Sequence, residues 1–549
     1  MCGIFCIRGS SVTPKQIHEG LKKLQYRGYD SWGYVVGSEY RRYTGKIPET
    51  YEYGCECEST FGMGHTRWAT HGNPSDEKNT HPIQFGNKKW FVVHNGIIQN
   101  YKQLIEEYSL IHTSDTDTEV IVSLAEHFYR EGCYNLKRIV EQIVNVIEGT
   151  YAFVLISPAY FPEEIIATCK GSPLIVSEYS ERLIFTSDQV TLEPNSKYFY
   201  ANHGDIIHVN IDGYYEIQEV SQIYTTSHHQ TEHEHSGHHM LKEILEQPEC
   251  IRNMFRGRLG TSHTSDREPY LKNAKTWVLI GCGSSYNACL AVRPFLEKYK
   301  TIHVELASDF VLRRPIVETE STVYIIVSQS GETRDCIAAC EYISDECNGV
   351  CLGINNRPGC LLDSKTLAGM HLNIGIERSV PATKSFTATI IALAMFASST
   401  SIDFSKIPDV LEKHIQRILH KKPQIIDETR GDIWITGDSW GLGIAKEFTL
   451  KLQEVAYIKA FMTTGYEMKH GPIALIDENS KVFYFGPPGS NIPQILESRG
   501  AKIVHSSEHN SFLCMLCDIV TVQLVTYYTA LDKNLPIDTP RNLAKSVTV

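Results

Sequence analysis

Val323–Thr333 reads V-Y-I-I-V-S-Q-S-G-E-T, and Arg334–Ile343 continues R-D-C-I-A-A-C-E-Y-I. Five apolar residues without polar alternation describe a strand buried on both faces. A Ser/Gly turn and a helix-spaced stretch over Cys336–Ile343 follow it, which makes one unit of a parallel, doubly wound sheet. Upstream, Thr276–Ile280 (T-W-V-L-I) runs into G-C-G-S-S and a helical pattern over Tyr286–Tyr299. Downstream, Val350–Ile354 reads as another strand. The rhythm then returns: Asp432–Thr436, G-D-S-W-G, a helix over Leu442–Tyr457, Lys481–Phe485 and G-P-P-G-S. I-G-C-G-S-S against I-T-G-D-S-W, about 155 residues apart, is a weak internal duplication.

The turns at Gly281–Ser285 and Ser328–Thr333 each lie between a strand and a helix. Backbone N–H groups at a helix N-terminus attract anions, and serine hydroxyls add donors. Two such turns at the carboxyl ends of one sheet point to a phosphate cradle rather than to ordinary Ser caps. Neither completes G-x-G-x-x-G, and neither carries the G-K-S/T of a Walker loop.

Residues 1–220 differ. Short β-like runs (Lys89–His94, Tyr151–Ile156, Leu183–Thr186, Asp205–Val209) alternate in blocks with helical patterns at Thr118–Glu131 and Leu136–Val146, as in a layered α+β domain. Residues 221–240 are polar and histidine-rich and read as a linker. The chain has 549 residues, 42% of them hydrophobic, enough for several cored domains. Its net charge of −12 argues against a nucleic-acid binder held by bulk electrostatics. Sixteen scattered cysteines show no disulfide spacing, which fits a reducing compartment. M-C-G-I-F-C-I is too short and uncharged for a signal segment. The apolar run in Thr387–Ala397 is taken as the longest, short of the ~20 residues a membrane span needs. The expectation is a soluble, cytoplasmic protein.

Cys2 follows Met1 directly. Removal of Met1 would give one residue both a thiol and a free α-amine, with ordinary pKa values near ~8.5 and ~8. That residue then supplies nucleophile and base together. On its own, Cys2 reads more readily as a small buried hydrophobe in an N-terminal strand, and the context below reverses that reading.

Further segments join it: L-Q-Y-R-G-Y-D-S-W-G (24–33), H-T-R-W-A-T-H-G (65–72), V-V-H-N-G-I-I-Q-N (92–100) and S-D-T-D-T-E-V (114–120). Together these resemble the class II glutamine amidotransferases. S-Q-S-G-E-T, A-T-K-S-F-T, E-M-K-H-G-P-I-A-L-I and P-R-N-L-A-K-S-V-T-V resemble the paired sugar isomerase (SIS) domains of the isomerising glutamine–fructose-6-phosphate transaminase family. The resemblance spans nearly the whole chain. It implies a four-layer α+β N-terminal-nucleophile glutaminase domain (1–220), a linker (221–240), two α/β doubly wound parallel-sheet SIS domains (241–400 and 401–535), and a tail (536–549) that reaches the active site.

The resemblance also implies roles. Cys2 attacks the glutamine amide, and its α-amine carries the proton. Asn95 and Gly96 stabilise the oxyanion, although N-G between apolar runs is also a common hairpin signal. Arg67 takes the α-carboxylate and Asp117 the α-ammonium, rather than forming a surface ion pair. Trp68, Thr70, His71 and Gly72 line that pocket, with Trp68 as gate, and Arg27 supports Cys2. On the sugar side, His470 opens the ring, Lys545 forms the Schiff base, and Glu454 moves the proton between C1 and C2. Lys451 tunes Glu454, where the bland alternative is a solvated i,i+3 pair. Cys282, Gly283, Ser284, Ser285, Ser328, Gln329, Ser330 and Thr333 hold the phosphate. The implied partners are glutamine, fructose 6-phosphate and further copies of the chain in a homodimer or homotetramer, without nucleic acid, membrane, cofactor or metal.

V-P-A-T-K puts Ala382 where the family has serine, and Lys459 replaces a common histidine. The linker histidines His228, His229, His233, His235, His238 and His239 have no fixed ligand spacing. Cys514-Met-Leu-Cys517 reads as structural thiols, and Cys55 and Cys57 as loop residues. A fructosamine-phosphate deglycase or a sugar-phosphate sensor remain alternatives. The first usually lacks a glutaminase half, and the second has no need of Cys2, Glu454, His470 and Lys545.

Overall fold

The computed structural model describes residues 2–48, 58–68, 72–73, 75–213, 215–216, 223–226, 237–256, 258, 267–397, 402–428 and 431–545. The chain divides into two compact units, Met1–His233 together with Ala544–Val549, and Glu234–Leu543. The division falls inside the polar 221–240 stretch.

The first unit holds two antiparallel sheets, one of eight strands and one of six. Gly3–Val12, Ser59–Arg67 and Ser31–Val36 are adjacent strands of the larger sheet. Trp90–Ile98, Gly149–Ser157 and Phe161–Lys170 are adjacent in the smaller one. Ile4, Cys6, Val35 and Met63 from one sheet meet Val93, Ala152, Val154 and Ala167 from the other in a single apolar cluster. Alternating side chains give each sheet a second face to cover. Helix Pro14–Leu24, opened by a capping box between Thr13 and Gln16, packs over the larger sheet. Helices Glu119–Arg130 and Leu136–Val146 close the smaller one, burying Val120, Leu124, Ile139 and Ile143. The result is the expected four layers, helix, sheet, sheet, helix.

The second unit holds two wholly parallel sheets. In the first, Thr276–Gly281 lies between Thr301–Leu306 and Thr322–Val327, followed by Cys351–Asn355 and Ala368–His371. In the second, Ile433–Gly437 lies between Ala460–Thr463 and Lys481–Gly486, with Lys502–Glu508 outside. The matching order gives the internal duplication its structural form. Each central strand feeds a helix, Gly283–Leu296 and Gly441–Glu454, and these two helices pack against each other. Gly443 allows the close approach, because a Cβ there would collide with the backbone of Ala291 and Asn287.

Two expectations change. The helix placed at Tyr286–Tyr299 begins at Gly283, because the strand passes into it through Cys282 at the cap. The longest apolar element is not in Thr387–Ala397. Helix Phe512–Asp532, 21 residues long with a mean hydropathy of 1.5 over its most apolar 18-residue window, meets the length and composition of a membrane span, and 72% of that window is buried. Met515, Leu516, Ile519 and Val520 place it in the core of the second unit. Its scattered threonines, Gln523 and Asp518 hid it from a search for unbroken apolar runs.

Candidate active site

In the first unit, Cys2 immediately precedes the strand Gly3–Val12 and is half-buried. The Trp68 N–H donates to its Sγ (3.3 Å), and its thiol donates to the Trp68 carbonyl (3.4 Å). Its carbonyl accepts from Arg27 Nε (3.1 Å) and from Asn95 Nδ2 (3.1 Å). Arg27 is itself fixed by Asp188, with 2.9 Å between Nη1 and Oδ2 and each side chain 1% exposed. Tyr26 donates its hydroxyl to the same carboxylate. The next residues are pinned too, since Ile4 N–H donates to Ser187 Oγ and its carbonyl accepts from Thr186.

Asn95 and Gly96 lie inside the nine-residue strand Trp90–Ile98, paired with Ala152 and Tyr151, which excludes the hairpin reading. Gly96 adopts φ +141°, and a Cβ there would collide with the Thr150 carbonyl. Arg67 and Asp117 are buried, not a surface pair. Burial lowers the Arg67 guanidinium's pKa, against the opposing influence of Cys2, Asp30 and Asp117 nearby. Asp117 Oδ2 accepts from the Ile98 N–H at 2.7 Å, two residues past Gly96. Trp68 meets Tyr29 edge-on at 5.2 Å. Gly72, at φ +76°, sits against the side chains of Asn79 and Asp115. Thr70 and His71 lie outside the described residues, as do Cys55, Cys57, His228, His229, His233 and His235. Cys2, Trp68, Asn95 and Arg67 are thus gathered at one point: the Trp68 backbone pairs with the thiol, the Asn95 amide with the Cys2 carbonyl, and the Arg67 charge lies within electrostatic reach.

In the second unit, the two turns emerge from adjacent strands in register, Gly281 opposite Val327. Ser328 Oγ accepts from the Gly331 N–H (3.1 Å) and pairs with Thr333 Oγ1 (2.8 Å). Ser330 Oγ accepts from Glu332 N–H (3.2 Å). Gly331 has φ +68°, and a Cβ there would strike Cys360. Gln329 and Thr333 are half-buried beside them. Across the cradle, Cys282 caps the helix, and Gly283, Ser284 and Ser285 form its first turn, an anion-attracting terminus.

Ser284 also leads elsewhere. Its hydroxyl donates to Glu447 Oε1 (2.9 Å), while Asn287 Nδ2 donates to Glu447 Oε2 (2.9 Å). Lys451 Nζ lies 3.0 Å from Glu447, bonds Ser284 Oγ at 3.2 Å and pairs with Glu454. Lys451 and Glu447 are each 1% exposed, so the solvated-pair alternative fails. Burial alone would lower the Lys451 pKa, but Glu447 and Glu454 outweigh it and hold the ammonium above its ordinary value. The Ser284 hydroxyl thus spends its proton on Glu447. Glu447 and Asn287 were missed in the sequence. The signal for Glu447 was E-x-x-x-K-x-x-E at 447, 451 and 454, three charges on one helix face, whereas nothing near Asn287 in the sequence pointed to it.

His470 is exposed at the end of the turn Glu467–His470 and takes no part in this network. Lys545 is half-buried and groups with the first unit, whereas Glu454 belongs to the second. Ala382 is half-buried and Lys459 exposed. Cys514 and Cys517 lie on Phe512–Asp532, where burial pushes Cys517 up to about 12. Among the described residues, no group of three or more His, Cys, Asp or Glu side chains is placed to hold a metal ion.

A glutamine amidotransferase domain family matches residues 65–194, and the SIS domain family matches residues 270–399. The glutamine–fructose-6-phosphate aminotransferase (isomerizing) of Bacteroides thetaiotaomicron is 32% identical over 100% of both chains. The Chlorobaculum tepidum protein of the same name is 33% identical, also over 100% of each. A solved C-terminal domain of glucosamine-fructose-6-phosphate aminotransferase from Francisella tularensis is 24% identical with a TM-score of 0.48, covering 56% of this chain and 100% of its own. With full-length identity above 30% and both domain families in order, the chain belongs to the isomerising glutamine–fructose-6-phosphate aminotransferase family.

Proposed function

We propose that this chain hydrolyses glutamine at Cys2, passes the ammonia to fructose 6-phosphate and isomerises the product to glucosamine 6-phosphate, releasing glutamate. The observation that carries the glutaminase half is the Asn95 amide, whose nitrogen points at Cys2 from a strand rather than a turn. Once Met1 is removed, the Cys2 α-amine takes the thiol proton and the thiolate attacks the amide carbon. Asn95 Nδ2–H and the Gly96 N–H receive the developing oxyanion, each such donor contributing about 10²–10³ in rate. Arg67 binds the α-carboxylate and Asp117 the α-ammonium. Trp68, Thr70, His71 and Gly72 complete the pocket, with Trp68 as gate.

On the sugar, Ser328, Gln329, Ser330 and Thr333, with Cys282, Gly283, Ser284 and Ser285, hold the phosphate. His470 opens the ring, Lys545 condenses with the C2 carbonyl, and Glu454 carries the proton from C1 to C2 beside the Lys451 ammonium. Ammonia released into water would be protonated and diluted, so the transfer proceeds sheltered from bulk solvent. The chain works in the cytoplasm as a homodimer or homotetramer, with no nucleic acid, membrane, metal or cofactor taking part.

Cys2→Ala tests the assignment. Glutamine hydrolysis disappears, while interconversion of fructose 6-phosphate and glucose 6-phosphate continues. Intact mass of the active protein shows Met1 absent and the Cys2 amine unmodified. Glutamine-dependent synthesis by the variant would refute it.

A further inference from the structure

Strand Ser59–Arg67 carries His65 into the space between the two sheets of the first unit, where its side chain has no exposed surface. Its Nε2 lies 3.0 Å from the His94 carbonyl oxygen and 3.1 Å from Asn95 Oδ1. A carbonyl only accepts, so His65 Nε2 carries the proton. At the other end of the Asn95 amide, the group 3.1 Å away is the Cys2 carbonyl, which also only accepts. The nitrogen of Asn95 therefore faces Cys2 and its oxygen faces His65, each end fixed independently. Burial pulls His65 down to about 3, so the imidazole is neutral and keeps this single proton across the working pH range.

The ring is held in its turn. His81 lies against it with centroids 4.2 Å apart. His81 Nδ1 accepts from the His94 N–H (3.4 Å), and His94 Nδ1 meets Thr118 Oγ1 at 2.9 Å. Burial also lowers His81 well below its ordinary value. Two neutral imidazoles thus brace the backbone and side chain of residues 94 and 95.

We infer that His65 is the positioning residue for the Asn95 amide, holding Oδ1 so that Nδ2–H stays available to the oxygen that turns negative when Cys2 attacks the substrate amide. This rests on the reading of Asn95 as an oxyanion donor. The χ2 torsion of asparagine is broad and nearly two-fold, so without a donor on Oδ1 only the Cys2 carbonyl at the other end opposes turning of the amide, and the turned state becomes more populated. The turned amide sets an oxygen against the oxyanion. His65 makes that orientation unfavourable before substrate arrives, which is preorganisation of the transition-state donor.

The experiment measures glutamine hydrolysis in His65→Leu, His65→Gln, Asn95→Ala and the His65→Leu/Asn95→Ala double variant. A second readout is the rate of Cys2 alkylation by iodoacetamide, with and without glutamate as protecting ligand. His65→Leu lowers kcat by about 10- to 100-fold with KM for glutamine unchanged, a smaller loss than that of Asn95→Ala. His65→Gln, whose amide supplies a donor, recovers kcat to within about fivefold of wild type. The double variant is no slower than Asn95→Ala alone. Alkylation and its protection by glutamate stay at wild-type values in both His65 variants, which shows an intact pocket. Should His65→Leu not fold, His65→Phe, planar and without a donor, carries the same expectations. Wild-type kcat in the donor-less variants, an equal fold-loss in the Asn95→Ala background, or loss of glutamate protection alongside kcat each overturns the positioning role. Wild-type kcat in Asn95→Ala overturns the oxyanion reading beneath it instead.

Discussion

Glu447 and Lys451 face each other at 3.0 Å on one turn of the helix Gly441–Glu454, both buried, with Ser284 from the other parallel-sheet half completing the ring. The two halves of the second unit therefore meet at a charged contact beside Glu454, not only through apolar packing. A buried pair of this kind yields little net stability when whole but costs much when broken.

Glu447→Gln leaves Lys451 with one carboxylate and turns one of the two oxygens that accept from Ser284 and Asn287 into a donor, so the two bonds cannot both persist. Denaturant unfolding of the second unit should lose about 3–5 kcal/mol. Isomerisation kcat should fall by about 10²-fold as Glu454 and Ser284 lose their fixed geometry. The raised Lys451 pKa fixes the sign of the pH dependence. The pair's contribution is fully present below the unfolded lysine value of ~10.4 and is lost as pH rises above it. The gap between wild type and Glu447→Gln should therefore be flat from about pH 6 to 9 and narrow above pH ~10.5.

Asp188→Asn strips the buried charge partner from Arg27, whose Nε holds the Cys2 carbonyl. The first unit should lose about 3–5 kcal/mol on unfolding. Glutamine hydrolysis should fall with it while hexose-phosphate isomerisation is unchanged, read by two separate assays on one preparation.

Gly96→Ala places a methyl against the Thr150 carbonyl at a φ that L-residues rarely adopt. The strand pair Trp90–Ile98 and Gly149–Ser157 must shift, carrying Asn95 with it. Glutaminase kcat should drop by about 10²-fold or more, and Gly96→Ser should do no better.

Acid should open the first unit. His65 and His81 are held below the ordinary histidine value by burial. The unfolded chain takes up those protons near pH ~6.5 and the folded one does not, so stability is present above that value and is lost as pH falls toward ~3. Unfolding scans between pH 7 and 4 should show the glutaminase unit losing midpoint temperature progressively. His81→Phe, which removes one of the two groups, should flatten that slope.

The parallel sheets were legible because their strands are unbroken apolar runs closed by Gly/Ser turns, as Val323–Thr333 shows. Helix Leu136–Val146 was legible to the residue from its 3.6-residue apolar spacing. Phe512–Asp532 was not, because the polar residues of a buried helix bond within it, as Thr526 does to the Val522 carbonyl, and interrupt the apolar count. Short motifs were enough to single out Cys2, Arg67, Asn95 and Gly96, which the first unit brings close together. It was opaque where function depends on partners distant in sequence. His65 reaches Asn95 across 30 residues, Arg27 reaches Asp188 across 161, and Ser284 reaches Glu447 across 163. No local spacing announces such pairs.

The most direct measurement follows one nitrogen atom. Purified protein is given glutamine labelled with ¹⁵N at the amide, together with fructose 6-phosphate, and the products are identified by mass spectrometry and NMR. The label should appear on C2 of glucosamine 6-phosphate in step with glutamate, and not at all with Cys2→Ala. Labelled ammonia accumulating beside unaminated hexose phosphate would contradict the account.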